Sequence, residues 1–395
     1  MRRLRQVELT SPRAAVHEGD PHSRGDGAIS YLGLPAKAPL MVAGGRRSPM
    51  TDCTIRLARD AAEWNELLAA VERPHLAQLW AYGEAKTAAG GVSRLSQRLS
   101  ARRLVFERAA VPVAICQVLD RSVAGCCLAS RIHRGPLLLG SRSSDDLAAS
   151  VYGALRAHWR HRGVLLLSPA LEASPEAERL LTRAGFRARH EVGWCSSVLD
   201  LRPSEQELRA NLTHGWRNRL NQVGGRGLEL RVSESQDALA WLLARHEENR
   251  HSRNFGDSPP RFVRALCAAS PGDWFVCEAR SADEPEPLAA MLVVQHGDWA
   301  EYYVAWFGDA GRRAGAGNFV YWKAALEARR RGVHRLDLGG YSATERGGLR
   351  QFKRGMRGTE YRLVREWLAL PSAAPGFLVR PTSSSGTTPR PSRPS

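Results

Sequence analysis

The order in which strand-like and helix-like stretches follow one another constrains this chain most. Val164 to Leu167 is a short apolar run of strand length, and Ser174-Pro175 then offers an N-cap and a proline at the first helical position. That helix ends at Ala184-Gly185-Phe186, and Trp194 to Leu199 reads as the strand that closes a first unit. Upstream, strands are expected at about 102–107, 111–119 and 123–133, followed by a helix from Ser144 to Arg160. Downstream, strands at about 273–279, 288–295 and 299–306 precede a helix from Asn318 to Arg331 and a strand from Val333 to Leu338. This alternation predicts an α/β (α+β) protein with mixed sheets flanked by helices.

The 395 residues, 43% of them hydrophobic, suffice for two domains with real cores. Residues 1–49 are rich in Arg, Pro, Gly and Ser and lack periodicity, so they are expected to be disordered or a mis-assigned start. An N-terminal domain is expected over 50–202. Ser204 and Glu207 form a capping-box pattern that opens a C-terminal domain over 203–370, and 371–395 reads as a disordered tail. The formal charge is +17, of which the two terminal stretches supply a net seven. A basic core suits a polyanionic partner such as tRNA, a nucleotide or an anionic headgroup, and equally suits a chain that simply prefers Arg.

No apolar run reaches the roughly 18 residues of a membrane span. The seven cysteines are odd in number and scattered, without metal-ligand spacing, so no metal is expected. These features predict a reduced, cytoplasmic protein, with peripheral contact at the inner face of the membrane as the alternative.

The most informative stretch runs from Leu336 to Gly358, LDLGGYSATERGGLRQFKRGMRG. A strand ends in Gly339-Gly340, where the backbone can turn sharply or a ligand can approach. After Gly347-Gly348, Leu349 to Lys353 fits one helical turn, with Phe352 packing inward and Lys353 sideways. Lys353 is one of only four lysines among 57 Lys+Arg. A compact ammonium beyond a glycine-rich strand end suits a developing negative charge, and an exposed helical lysine is the bland alternative. Asp337 either orients such a site or caps its own turn.

In Gln78 to Lys86, QLWAYGEAK, helical spacing brings together Trp80, Glu84 and Lys86, either as a binding edge or as the solvated edge of a core helix. Arg134, in Arg134-Gly135-Pro136, faces a phosphate or caps a strand. Leu208, Leu212, Trp216 and Leu220 predict one helix that carries Arg217 and Arg219. Tyr302 and Tyr303 fall on opposite faces of a strand, and Tyr303 is the preferred catalytic candidate of the two. Arg312, Gly315 and Gly317 match R-x-x-G-x-G, a loop that cradles the pyrophosphate of acyl-CoA when a strand precedes it and a helix follows.

The DLGG…GLxxFK stretch with Lys353-Arg354-Gly355-Met356-Arg357-Gly358, together with QxWxxGEAK, W-R-N at 216–218 and L-x-x-x-G-F at the end of a helix, resembles the FemAB-type transferases. The resemblance covers nearly all of 51–370 and implies two tandem GNAT-like domains. It implies a peptidoglycan-bridge aminoacyltransferase, which takes aminoacyl-tRNA as donor and a lipid- or nucleotide-linked peptidoglycan precursor as acceptor, without a cofactor. On that resemblance Lys353 lies in the acyl-transfer site; from the residues themselves, Tyr303, Asp337 and amides near Gly339 and Gly340 are expected to assist it. Trp80, Glu84, Lys86, Arg134, Arg217, Arg219 and Phe352 then belong to substrate binding, with Lys86 and Arg217 on the acceptor's phosphates. Two alternatives stand beside it: an acyl-CoA (acetyl-CoA) N-acyltransferase using Arg312, Gly315 and Gly317, and a non-catalytic tRNA- or precursor-binding protein.

Overall fold

The computed structural model describes residues 52–90, 97–140, 144–189, 192–225, 227–253, 258–341 and 348–371. The expectations for 1–49 and for 372–395 lie outside these residues, as does Gly347 of the central stretch.

The first unit opens with β1 (Cys53–Leu57), α1 (Ala61–Ala69) and α2 (Trp80–Gly90). The strands β2 (Gln97–Arg108), β3 (Val111–Val123) and β4 (Cys126–His133) follow as an antiparallel meander, with the short β5 (Leu137–Leu138) on β3. Then come α3 (Asp145–His158), β6 (Val164–Ser168), α4 (Pro175–Arg183) and β7 (Arg187–Ala188). As read from sequence, the Ser174 hydroxyl caps α4 by accepting from Ala177 N, with Pro175 at the first turn.

The chain continues through β8 (Cys195–Asp200), α5 (Glu205–Asn211), α6 (His214–Gly224), β9 (Glu229–Ser233), α7 (Gln236–Arg253) and α8 (Pro260–Ala269). A meander of β10 (Trp274–Arg280), β11 (Ala289–His296) and β12 (Trp299–Phe307) is followed by α9 (Asp309–Ala314), α10 (Ala316–Arg330) and β13 (Arg335–Asp337). Last are α11 (Gly348–Arg354), β14 (Thr359–Arg362) and β15 (Trp367–Ala369).

The capping box of Ser204 and Glu207 is formed. The single helix expected behind it is two, because Leu212 turns extended (ψ 149°) and Thr213 starts α6 as its N-cap. The Thr213 amide then donates to Gly355 O, which ties α6 to the end of α11.

Each unit contains one parallel pair in an otherwise antiparallel sheet: β4 with β6, and β12 with β13. Two strands cross the expected boundary in opposite directions. Trp194 to Leu199 does not close the first sheet: β8 lies in the second, between β14 and β13. The closing place in the first sheet is taken by β15, which lies between β6 and β7. Strand pattern marks these segments as strands but does not choose the sheet, because both sheets offer apolar faces to them.

Three apolar clusters hold the layers. One packs α3 and α4 on the first sheet (Phe106, Tyr152, Trp159), and one packs α6 and α10 on the second (Trp216, Val320, Trp322). The third is shared between the units: Trp64, Leu76 and Tyr82 pack with Leu242, Phe262 and Val304. In it α2 lies on α8, with the Tyr82 and Phe262 rings edge to face at 5.1 Å. Burying one such Phe or Leu contributes roughly 1.5–3 kcal/mol, so this shared core fixes the units against each other.

Candidate active site

β12 and β13 pair for only three residues, Trp299–Arg335, Ala300–Leu336 and Glu301–Asp337, and then part. Asp337, the last paired residue, is buried and accepts from three donors: the Ser196 hydroxyl, the Tyr361 phenol (2.6 Å) and the Gly339 amide (2.8 Å). It therefore caps its own strand end and fastens β8 and β14 to it. Burial, then the charge of Asp337, pushes the Tyr361 phenol well above its usual range, so that it stays a donor.

Gly339 has φ +75°, and a Cβ there would stand 2.4 Å from Tyr302 Cδ1; a Cβ on Gly340 would stand 2.4 Å from the Trp194 ring. Side chains, rather than a ligand, approach this backbone. Its two carbonyls accept from Lys353 Nζ, at 3.1 Å from Gly339 O and 2.9 Å from Gly340 O, and the ammonium lies 5.0 Å from the Tyr302 ring centre. Lys353 is only 1% exposed, so it is not the surface lysine of the bland alternative. The amide of Gly339 is committed to Asp337 and is not a free oxyanion donor, contrary to expectation. Phe352 packs against Trp216 and Tyr321, and Trp216 Nε1 donates to Phe352 O (3.0 Å), so the W-R-N tryptophan braces the lysine helix.

Opposite Asp337, Glu301 is 5% exposed and accepts from Arg134 Nη1 at 3.2 and 3.1 Å. Arg134 reaches across from the end of β4, with φ +48°, a conformation sparsely adopted by non-glycine residues. Its guanidinium lies 3.7 Å from the Trp194 ring centre. It thus pairs with a carboxylate of the other unit, neither facing a phosphate nor capping a strand. Burial raises Glu301 to about 7, with Arg134 pulling down, Asp337 pushing up and Lys353 pulling down. The sequence reasoning missed Glu301. Its signal was available: a lone acid in the apolar run Trp299 to Phe307 must be paired if the strand is buried.

The other expected residues divide between two faces of the second sheet. Tyr302 faces Lys353, whereas Tyr303 lies on the opposite side, its OH 2.8 Å from Ser258 Oγ and its ring against Phe262. The preference for Tyr303 as Lys353's companion is thereby corrected: the strand alternation puts Tyr302 there. Lys86 shares the Tyr303 side. Its ammonium lies 4.1 Å from the Phe262 ring centre and makes no ion pair among the described residues.

Trp80 and Glu84 are both engaged by one arginine. Arg103 stacks on Trp80 (3.8 Å) and donates to Glu84 (2.8 Å), while Gln78 and Gln117 bond each other's strand and helix. Arg217 donates to Ala210 O and Leu212 O, closing the end of α5, and Arg219 is exposed on α6; neither stands with Lys86. The loop expected around Arg312 is wound as α9. Arg312 donates to Phe307 O, Gly315 (φ +76°) caps α10, and Val223 of α6 would be 2.7 Å from a Cβ on Gly315. Gly317 follows in the first turn of α10, near the Phe307 ring.

Three histidines surround Arg134. Burial and then neighbouring arginine charge hold His75 and His133 well below 6.5, and burial brings His296 down to about 4. Among the described residues no group of three or more His, Cys, Asp or Glu is placed to hold a metal, and no helix is long and apolar enough to cross a membrane.

Two mixed sheets, each with one parallel pair, follow one another in a tandem GNAT-like fold. Residues 208–354 match the family model described as acetyltransferase (GNAT) domain. The tandem arrangement is of FemX type: over 80% of this chain and 97% of that one, the crystal structure of FemX superposes with a TM-score of 0.65 at 14% identity. A tandem GNAT protein from the clavulanic acid biosynthesis pathway is also similar (TM-score 0.46, 14% identity, 80% and 98% covered). So is L-PGS from Bacillus licheniformis (TM-score 0.46, 13% identity, 80% and 93% covered). At these identities the likeness is one of fold. No curated protein sequence matches the chain.

Proposed function

We propose that this acyltransferase forms an amide by moving an amino acid from aminoacyl-tRNA to a peptide amine of a peptidoglycan precursor. The observation that carries the reading is the buried Lys353 ammonium where β12 and β13 part, held between Gly339 O, Gly340 O and the Tyr302 ring. An acyl carbonyl brought beside that ammonium develops its negative charge next to a fixed positive one. The amine nitrogen attacks the ester carbon, the C–N bond forms and the C–O bond to the ribose breaks. The amine's proton leaves for the ribose oxygen. Glu301, raised to about 7, is the group whose range suits a proton relay, and Arg134 sets its charge. Lys86, half-buried beside Phe262 on the Tyr303 side of the sheet, is the cation for an acceptor's phosphates. The fold-level likeness to FemX supports an aminoacyl donor with a cell-wall acceptor.

The acyl-CoA reading keeps two supports, the R-x-x-G-x-G match at the start of α10 and the match of residues 208–354 to the acetyltransferase (GNAT) domain model. The test incubates the full chain and an amine-bearing precursor with charged tRNA or with acetyl-CoA, and weighs the product. Amide formation with charged tRNA, indifferent to Arg312→Glu, supports the proposal. Product formed only with acetyl-CoA, and lost on Arg312→Glu, overturns it.

A further inference from the structure

A groove of about 660 Å³ runs between the two units, on the far side of Tyr361 from Asp337. The first unit gives one wall, with Glu72, Leu137, Asp145 and Leu171, and the second gives the other, with Val198, Arg202, Trp299 and Arg335. The volume is that of a small-molecule or short-peptide site, and the apolar parts of both walls suit aliphatic side chains.

The walls carry opposite residual charge. On the first, Glu172 is paired with Arg73 (2.7 Å), while Glu72 and Asp145 have no ion pair among the described residues. On the second, Arg202 is paired with Asp200 (2.6 Å), and Arg335 lies 5.2 Å from the Trp299 ring centre without an ion pair.

An independent observation sits in the same groove. His75 lines it at 4% exposure, and neither ring nitrogen has a hydrogen-bond partner among the described residues. Its contact is with the Tyr361 ring (6.4 Å), which Arg73 also covers (4.8 Å). A neutral imidazole offers one donor and one acceptor, and the ring nitrogens of this otherwise buried side chain are left for what occupies the groove.

We infer that this groove is a binding site for a short zwitterionic peptide. Its ammonium faces Glu72 and Asp145, its carboxylate faces Arg335, and a backbone amide meets His75. The site requires no acyl donor, so it stands or falls apart from the transfer reaction.

The test is calorimetric titration of the full chain, at fixed salt and pH 7.5, with the tripeptide Ala-Leu-Ala, its N-acetylated form, its C-amidated form and free alanine. One saturable site is expected for the free tripeptide, with each blocked form weaker by roughly three- to tenfold. Asp145→Asn weakens the free tripeptide without affecting the acetylated one, and Arg335→Gln does the same with respect to the amidated one. His75→Phe weakens all three. The inference is overturned by no saturable binding, by blocked peptides binding as well as the free one, or by alanine binding as tightly as the tripeptide.

Discussion

Replacing Arg134 by Met tests the charge pair that joins the two units. Removing one partner of a buried pair ordinarily costs about 3–5 kcal/mol, because a charge is left stranded. Glu301 has an escape. Burial already raises it to about 7, so at that pH the protonated form costs almost nothing extra. A raised folded value means that stability is fully present below the unfolded value of 4.5 and is lost as pH rises toward about 7. In the wild type that loss ends near 7, where Arg134 begins to hold the ionised form. Without Arg134 the carboxyl titrates later and the loss continues, at about 1.4 kcal/mol per pH unit. Beyond a pH-independent change in packing against Trp194, Arg134→Met should therefore be nearly neutral at pH 6 and destabilising by about 2 kcal/mol at pH 8.5. Urea unfolding at both values measures it, and the double variant Arg134→Met/Glu301→Gln should lose the pH-dependent part. A loss of 3–5 kcal/mol that is the same at pH 6 and 8.5 would refute the argument, since the carboxylate would then be ionised throughout.

Lys353→Met leaves the Gly339 and Gly340 carbonyls without their donor. It should cost about 2–4 kcal/mol in urea unfolding, and an unchanged midpoint would mean the ammonium is not buried. Gly339→Ala forces a methyl toward Tyr302 at φ +75°, for a loss of roughly 2–4 kcal/mol that Tyr302→Ala in the same chain should partly relieve. His75, His133 and His296 have depressed folded values, so their contribution is complete above 6.5 and falls away as pH drops below it, for His296 toward about 4. Denaturation midpoints measured from pH 7 to 5 should fall, and His296→Gln should flatten that slope. Separate fragments 50–202 and 203–370 should each fail to unfold cooperatively, since the first lacks β15 and the second lacks β8. A sharp thermal transition in either fragment alone would contradict this.

Local signals in the sequence transferred well. The Ser174-Pro175 start and the Ser204/Glu207 box depend on neighbours within a turn, and both are present. The opposite faces of Tyr302 and Tyr303 follow from strand geometry alone, but which face meets Lys353 depends on α11 packing across the sheet. Asp337 and Lys353 were singled out through composition and the glycine pair, whereas the sequence marks Glu301 only as a lone acid in an apolar strand and its partner Arg134 stands 167 residues away. The QLWAYGEAK stretch shows the same dependence on distant partners. Its Trp80 and Glu84 look like a binding edge because the partner that uses them, Arg103, comes from a later strand.

The exchanged strands explain why the site is built where it is. β8 brings Ser196 to Asp337 and precedes β14, whose Tyr361 completes the same carboxylate's shell. The residue before β8, Trp194, fills the space over Gly340 and gives Arg134 its stacking surface. One short segment, passing from the first unit into the second sheet, thus fixes the glycine pair, the aspartate and the crossing arginine together. β15 returns the chain to the first sheet, so neither unit can shift without drawing a strand out of the other. Lys353 and Glu301 are in this way held at a junction made stiff from both sides, and a charged pair and an ammonium can remain buried there because every group around them is fixed before a substrate arrives.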